Sequence, residues 1–208
     1  MSVRINLVKE LIQKVSNNKI DFMAVTKKRS INDIIQLQEL GVKIFGENQV
    51  QEADSKFSNL EKRDFIKLHL IGPLQSNKTK KALSIFDAIQ SIDRKKIIDE
   101  IAKNFDENSR AKEFYLQINI GQESQKSGVS PEDASSYLNY AQSKNLNIIG
   151  LMCIPPIDDS PEKFFSKMVS IRDSIDKKLR LSMGMSSDYE TAMNFQSNLI
   201  RIGSALFV

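Results

Sequence analysis

Short apolar runs recur about eight times along the chain, separated by polar or amphipathic stretches. The runs fall at residues 22–25, 42–45, 68–71, 88–92, 114–120, 148–154, 179–183 and 199–202. Helical spacing fills the intervals: residues 4–16 open the chain, then come 31–40, a polar helix ending near 60, 76–84, 94–104, 131–143, 161–177 and 188–196. Local signals support several boundaries. Ser30 precedes Ile31, Ile34 and Ile35 as an N-cap would, and Gly41 stops that helix. Ser130-Pro131 and Ser160-Pro161 are N-cap and first-turn pairs. Strict alternation of strand and helix implies a mostly parallel sheet. Eight repeats favour a closed (β/α)8 TIM barrel, expected as a single α/β domain over residues 1–208. An open doubly wound sheet is the alternative.

The ends of the runs carry the chemistry-bearing residues. In a barrel, strand C-termini gather at one mouth, where active sites form. Lys27 follows the first run in Val25-Thr26-Lys27. A lysine there can be partly desolvated and so attack a carbonyl carbon; a surface lysine in a basic loop is the other reading. Phe45-Gly46-Glu47-Asn48 follows the second run. There Asn48 offers hydrogen bonds to a ring substituent, and Glu47 either holds a neighbouring cation or caps the next helix. Ser182-Met183-Gly184-Met185-Ser186-Ser187-Asp188 and Arg201-Ile202-Gly203-Ser204 close the last two runs. Glycine and serine between strand and helix leave backbone N–H groups for an anion, and the loops after strands seven and eight are the usual phosphate site of barrels. Asp188 also reads as a helix N-cap. His69 sits inside the third run and reads as a structural histidine; Lys126 reads as a solvated lysine or a second mobile amine; Cys153 reads as a small buried hydrophobe.

Composition narrows the class. Of 208 residues, 40% are hydrophobic and 27% charged, the balance of a soluble globular domain. The net charge of +4 comes from dispersed lysines and arginines without a nucleic-acid motif, so no nucleic-acid partner is expected. With one cysteine and one histidine, neither a disulfide nor a His- or Cys-based metal site is expected. Residues 148–157 form the longest apolar stretch, broken by two prolines and too short to span a bilayer. The N-terminal segment has no signal-peptide core, so a cytoplasmic protein without a membrane partner is expected.

Several strings together carry a family resemblance. Ala24-Val25-Thr26-Lys27, Phe45-Gly46-Glu47-Asn48-Gln49-Val50-Gln51-Glu52, and His69-Leu70-Ile71-Gly72-Pro73-Leu74-Gln75-Ser76-Asn77-Lys78 resemble the pyridoxal 5′-phosphate homeostasis proteins. So do Ile118-Asn119-Ile120, Lys126-Ser127-Gly128, Gly150-Leu151-Met152, Leu181 through Ser186, and Arg201 through Ser204. The resemblance implies a barrel of the alanine-racemase N-terminal type. It implies pyridoxal 5′-phosphate (PLP) held as an internal aldimine on Lys27. By the same resemblance Ser186, Gly203 and Ser204 grip the phosphate, Arg201 faces the pyridine nitrogen, and Asn48 lines the ring edge. The implied function is non-catalytic PLP binding in vitamin B6 and amino-acid homeostasis, by a monomer, with PLP-dependent apoenzymes as candidate recipients. A PLP-dependent amino-acid racemase is the alternative. It would need acid/base groups on both faces of the substrate carbon, and alanine racemase takes the second group from a further domain. The chain departs from the family pattern at Arg29 and Ser30, where a second lysine and a proline are usual. It also ends at Phe207-Val208, so a more open phosphate side is expected.

Overall fold

A computed structural model of the chain describes residues 2–61, 63–156 and 159–208; Ile157, at the end of the long apolar stretch, lies outside them. Eight parallel strands close into a barrel in sequence order: β1 (Asp21–Val25), β2 (Ile44–Glu47), β3 (Lys67–Leu70), β4 (Ala88–Ile92), β5 (Glu113–Ile118), β6 (Ile148–Cys153), β7 (Arg180–Ser182) and β8 (Leu199–Ile202). β1 pairs with both β2 and β8, which closes the ring. The barrel is thus closed, and the open sheet is excluded. The outer helices are α1 (Ile5–Asn17), α2 (Ile31–Glu39), α3 (Val50–Phe57), α4 (Thr79–Ile85), α5 (Lys95–Asn104), α6 (Ala134–Ser143), α7 (Pro161–Ile175) and α8 (Tyr189–Asn194).

Spacing decides which helix face is buried. On α1, Val8, Leu11 and Val15 lie inward; on α5, Ile97, Ile98 and Ile101 do. Both stripes follow the helical period and pack on the strands. At Ser30 the departure from proline has a local reason. Its hydroxyl accepts from Asp33 N at 3.2 Å, and the Asp33 carboxylate accepts from Ser30 N at 3.0 Å. This reciprocal capping box starts α2 one residue ahead of Ile31, an arrangement proline, lacking an N–H, cannot form.

Some boundaries moved. β2 runs two residues later than the apolar run suggests, because Gly46 and Glu47 complete its pairing with His69 and Leu70 of β3. α3 stops at Phe57 and α8 is only six residues long, and 3-10 turns at Ser76–Lys78 and Pro131–Asp133 precede α4 and α6. At the N-terminal end of the barrel, Asp87 accepts from Arg63 Nη2 and Arg110 Nε, each at 2.8 Å, and from Leu68 N at 2.7 Å. Charges at that end serve stability; the opposite end carries the site.

Candidate functional site at the barrel mouth

The loop after β1 presents Lys27. Contacts from β2 and α3 hold it. Thr26 Oγ1 donates to Glu47 Oε1 at 2.7 Å, Lys56 Nζ donates to the Thr26 carbonyl at 2.8 Å, and Lys28 N donates to Glu52 Oε1. Lys28 takes a positive φ of 60° in this turn. The Lys27 side chain itself is exposed. Of its two readings, the exposed lysine in a basic loop is therefore the one found, and the desolvated one is not. Its amine instead borders an open groove of about 440 Å³, shared with Arg29, Asn48, Gln49 and Glu52.

Glu47 is fully buried and does not cap α3, whose N-cap is Gln49. It holds a cation, as one of its two readings anticipated: Lys56 Nζ lies 2.6 Å from Glu47 Oε1 and 2.8 Å from Glu52 Oε1. Burial lifts the Glu47 carboxyl above the ordinary carboxylate range, outweighing the bonds from Lys56 and Thr26. Its Oε2 has no hydrogen-bond partner among the described residues. Asn48 is half-buried beside it. A Cβ at Gly72 would stand 2.2 Å from the Asn48 carbonyl oxygen, so only glycine lets the β3 loop lie against Asn48.

Two loops meet across the mouth. Gly203 N donates to Ser186 Oγ at 3.3 Å, joining the β7 and β8 loops. In the β7 loop Gly184 has φ +97°, and a Cβ there would meet that of Ala192 at 2.6 Å. Asp188 does not cap α8 through its side chain; its carboxylate accepts from Met185 N at 2.6 Å and so braces the same loop. Packing does not demand glycine at position 203. A Cβ there would touch Val25 only at an ordinary 3.4 Å, which leaves room for close approach of a ligand. Ser204 follows, exposed, at the start of a 3-10 turn.

Arg201 lies on β8 with 3% of its surface exposed. Nη1 donates to the Ser182 carbonyl at 2.6 Å and to Ser182 Oγ at 2.8 Å, and Nη2 donates to the Cys153 carbonyl at 2.7 Å. No carboxylate pairs with it among the described residues. Burial pushes its pKa down from the usual arginine value. A buried cation compensated only by neutral oxygens favours an anionic or electron-rich ligand beside it.

The remaining candidates divide. His69 is buried; its Nδ1 contacts Gln90 Nε2 at 2.8 Å while Nε2 has no partner, so it is only half satisfied. Lys126 is partly buried, paired with Glu123 Oε2 at 2.5 Å and near the Pro155 carbonyl at 3.4 Å. It borders a cavity of about 310 Å³ that also includes Asn48. Cys153 is buried, as expected of a small hydrophobe, and its carbonyl serves Arg201. Lys56 and Gln90 escaped sequence reasoning, and Ser182 was read only as the start of an anion-binding string, not as a partner of Arg201. Lys56 sits in a helix that reads as polar, Gln90 lies within a five-residue strand, and Ser182 ends a three-residue one. Among the described residues no group of three or more His, Cys, Asp or Glu side chains could hold a metal, and no helix is long and apolar enough to cross a membrane.

The barrel and its mouth define the class. Residues 5–208 match the family described as alanine racemase, N-terminal domain. Within it, the chain belongs to the family of pyridoxal phosphate homeostasis proteins. It is 34% identical to the pyridoxal phosphate homeostasis protein of Aquifex aeolicus (strain VF5), over 98% of this chain and 96% of that one. It is 36% identical to the protein of the same name from Pasteurella multocida (strain Pm70), over 93% and 88%. Among solved structures, PipY of Synechococcus elongatus PCC7942 with PLP bound superposes with a TM-score of 0.85 at 28% identity, covering 97% of this chain and all (100%) of PipY. Alanine racemase of Clostridium difficile 630 shares the fold alone, with a TM-score of 0.72 at 13% identity over 57% of its length.

Proposed function

We propose that the protein is a non-catalytic carrier of PLP that buffers the free aldehyde in the cytoplasm. The observation that carries this reading is convergence. Lys27, Asn48, Ser186, Arg201, Gly203 and Ser204 come from four different strand ends and all lie at one mouth of the barrel. The residues fit the cofactor: an open amine at one side, a buried unpaired arginine in the floor, and a glycine–serine turn at the other side.

When bound, the cofactor supplies an aldehyde carbon to which an amine adds with loss of water. Lys27 supplies the amine, and the Glu47–Lys56 pair beneath its loop keeps it at the mouth. Ser186, Gly203 and Ser204 hold the phosphate with hydroxyl and backbone N–H groups. Asn48 lines the ring edge. Arg201 offers N–H groups to the ring nitrogen; as a permanent cation without an acceptor, it leaves that nitrogen unprotonated. Such a ring withdraws electrons weakly, which suits holding more than transforming. The names of the curated relatives and the PLP bound to PipY support this reading over the racemase one. PLP-dependent apoenzymes are the proposed recipients, and a monomer suffices to form the site.

Dialysis tests the reading. Wild-type protein loaded with PLP is expected to keep its near-visible absorbance band, whereas Lys27→Ala loses the band and most of the cofactor. Retention of the same band by Lys27→Ala would assign the bond to another lysine.

A further inference from the structure

Behind Arg201 lies a buried polar chain that the functional reading does not use. It crosses the barrel interior. From Arg201 on β8 it passes to Ser182 Oγ on β7 (2.8 Å), then to Gln90 on β4 (Ser182 Oγ to Gln90 Oε1, 2.7 Å), and ends at His69 Nδ1 on β3 (2.8 Å from Gln90 Nε2). All four side chains are nearly inaccessible: His69 is 2% exposed, Gln90 and Ser182 are 0%, and Arg201 is 3%. The three links between these side chains are bonded, which restricts their arrangement, while the far nitrogen of His69, Nε2, has no partner among the described residues.

Chemistry gives the chain a direction. Arginine carries five N–H donors and no acceptor, so Ser182 Oγ must accept from it. The hydroxyl proton then needs an acceptor, and of the chain's side chains only Gln90, through its amide oxygen, offers one within bonding distance of Ser182 Oγ. That sets the amide: its oxygen faces Ser182 and its nitrogen faces His69. The amide N–H donates to His69 Nδ1, which must hold a lone pair. His69 is thereby neutral with its proton on Nε2. Flipping Gln90 would set an NH2 group against a hydroxyl proton with nothing to accept it. Among the described residues the hydrogen bonds of Arg201 use both hydrogens of Nη1 and one of Nη2. Nε and one Nη2 hydrogen stay available to a ligand.

We propose that Ser182, Gln90 and His69 are positioning residues for Arg201, a one-way hydrogen-bonded chain that holds the guanidinium fork in a single orientation toward the bound ring. The inference rests on the reading that Arg201 faces the ligand ring. It adds that the barrel core, through a histidine on the far strand, sets the geometry of that contact.

The chain contains one histidine, so its side-chain nitrogens give an unambiguous NMR signal. In 15N-labelled wild-type protein His69 is expected as the Nε2–H tautomer, and saturation with PLP is expected to shift its ring resonances through the chain. Ser182→Ala is expected to raise the dissociation constant for PLP about tenfold and to release the tautomer preference. Ser182→Thr, which keeps the hydroxyl, returns affinity toward wild type. An Nδ1–H tautomer in the wild type would overturn the inference. So would a wild-type signal blind to PLP, or a Ser182→Ala protein with unchanged affinity. Should Ser182→Ala fail to fold, the two wild-type measurements decide. Wild-type protein that binds no PLP would defeat the functional reading instead, while the tautomer still judges the chain.

Discussion

The ammonium of Lys56 donates to the backbone carbonyl of Thr26 at 2.8 Å, tying α3 to the residue just before Lys27. The same nitrogen neutralises buried Glu47 at 2.6 Å. One buried cation therefore fixes both the position of the Lys27 loop and the charge balance beneath it.

Lys56→Met should destabilise the fold by about 3–5 kcal/mol, the usual cost of stripping one partner from a buried pair. The Glu47 carboxyl already has a raised pKa, so its contribution is complete below the ordinary carboxylate range and is lost as pH rises through the folded value. The deficit of Lys56→Met should accordingly deepen between acidic and neutral pH. Urea unfolding at several pH values measures both; a deficit under 1 kcal/mol, within the range of exposed pairs, would mean the pair is not buried in solution.

Gly72→Ala should push the Asn48 backbone out of place, because the added methyl would stand 2.2 Å from its carbonyl oxygen. Overpacking of this kind costs about 1–3 kcal/mol. The variant should lose thermal stability and bind PLP more weakly. Unchanged values in calorimetry and an absorbance titration would show that Asn48 does not depend on that contact.

His69 should stay neutral well into the acid range. Burial, with lesser effects from Lys67 and Arg180, lowers its pKa from 6.5 to about 3. A depressed folded pKa contributes stability that is present above the unfolded value and lost as pH falls toward the folded one. Between pH 6.5 and pH 3 that loss amounts to roughly 3–5 kcal/mol. An NMR titration of the single histidine reads it directly; a midpoint near 6.5 would place the ring in contact with water.

Arg201→Lys should keep a positive charge and lose the fork that serves Ser182 and Cys153 simultaneously. Losing a charged hydrogen bond costs about 1.5–3 kcal/mol, so PLP should bind roughly ten- to a hundredfold more weakly while the band assigned to Lys27 persists at saturation. Wild-type affinity in a titration would remove Arg201 from the ring contact.

Much of this was legible in the sequence because barrel strands buried on both faces read as plain apolar runs. All eight were visible, and β4 and β8 came out with their full bounds. Turn residues did the same for the mouth, where Lys27, Asn48, Ser186 and Gly203 stand after the first, second, seventh and eighth runs. The interior was harder. Gln90 and Ser182 are inward polar residues in strands of five and three residues, too short for a period of two to show. Glu47 extends β2 by pairing with Leu70 of β3, and its buried Oε1 meets Lys56, a partner nine positions away on a helix that reads as polar. The exposure of Lys27 was one of its two readings, a surface lysine in a basic loop; the pinning of that loop from α3 was not legible.

The most direct measurement is reduction of the PLP-loaded protein with borohydride, followed by peptide mapping of the modified lysine. The account requires the reduced pyridoxyl group on Lys27 as the dominant adduct. A protein that stays colourless with excess PLP, or an adduct mapped chiefly to Lys126 or another lysine, would contradict it.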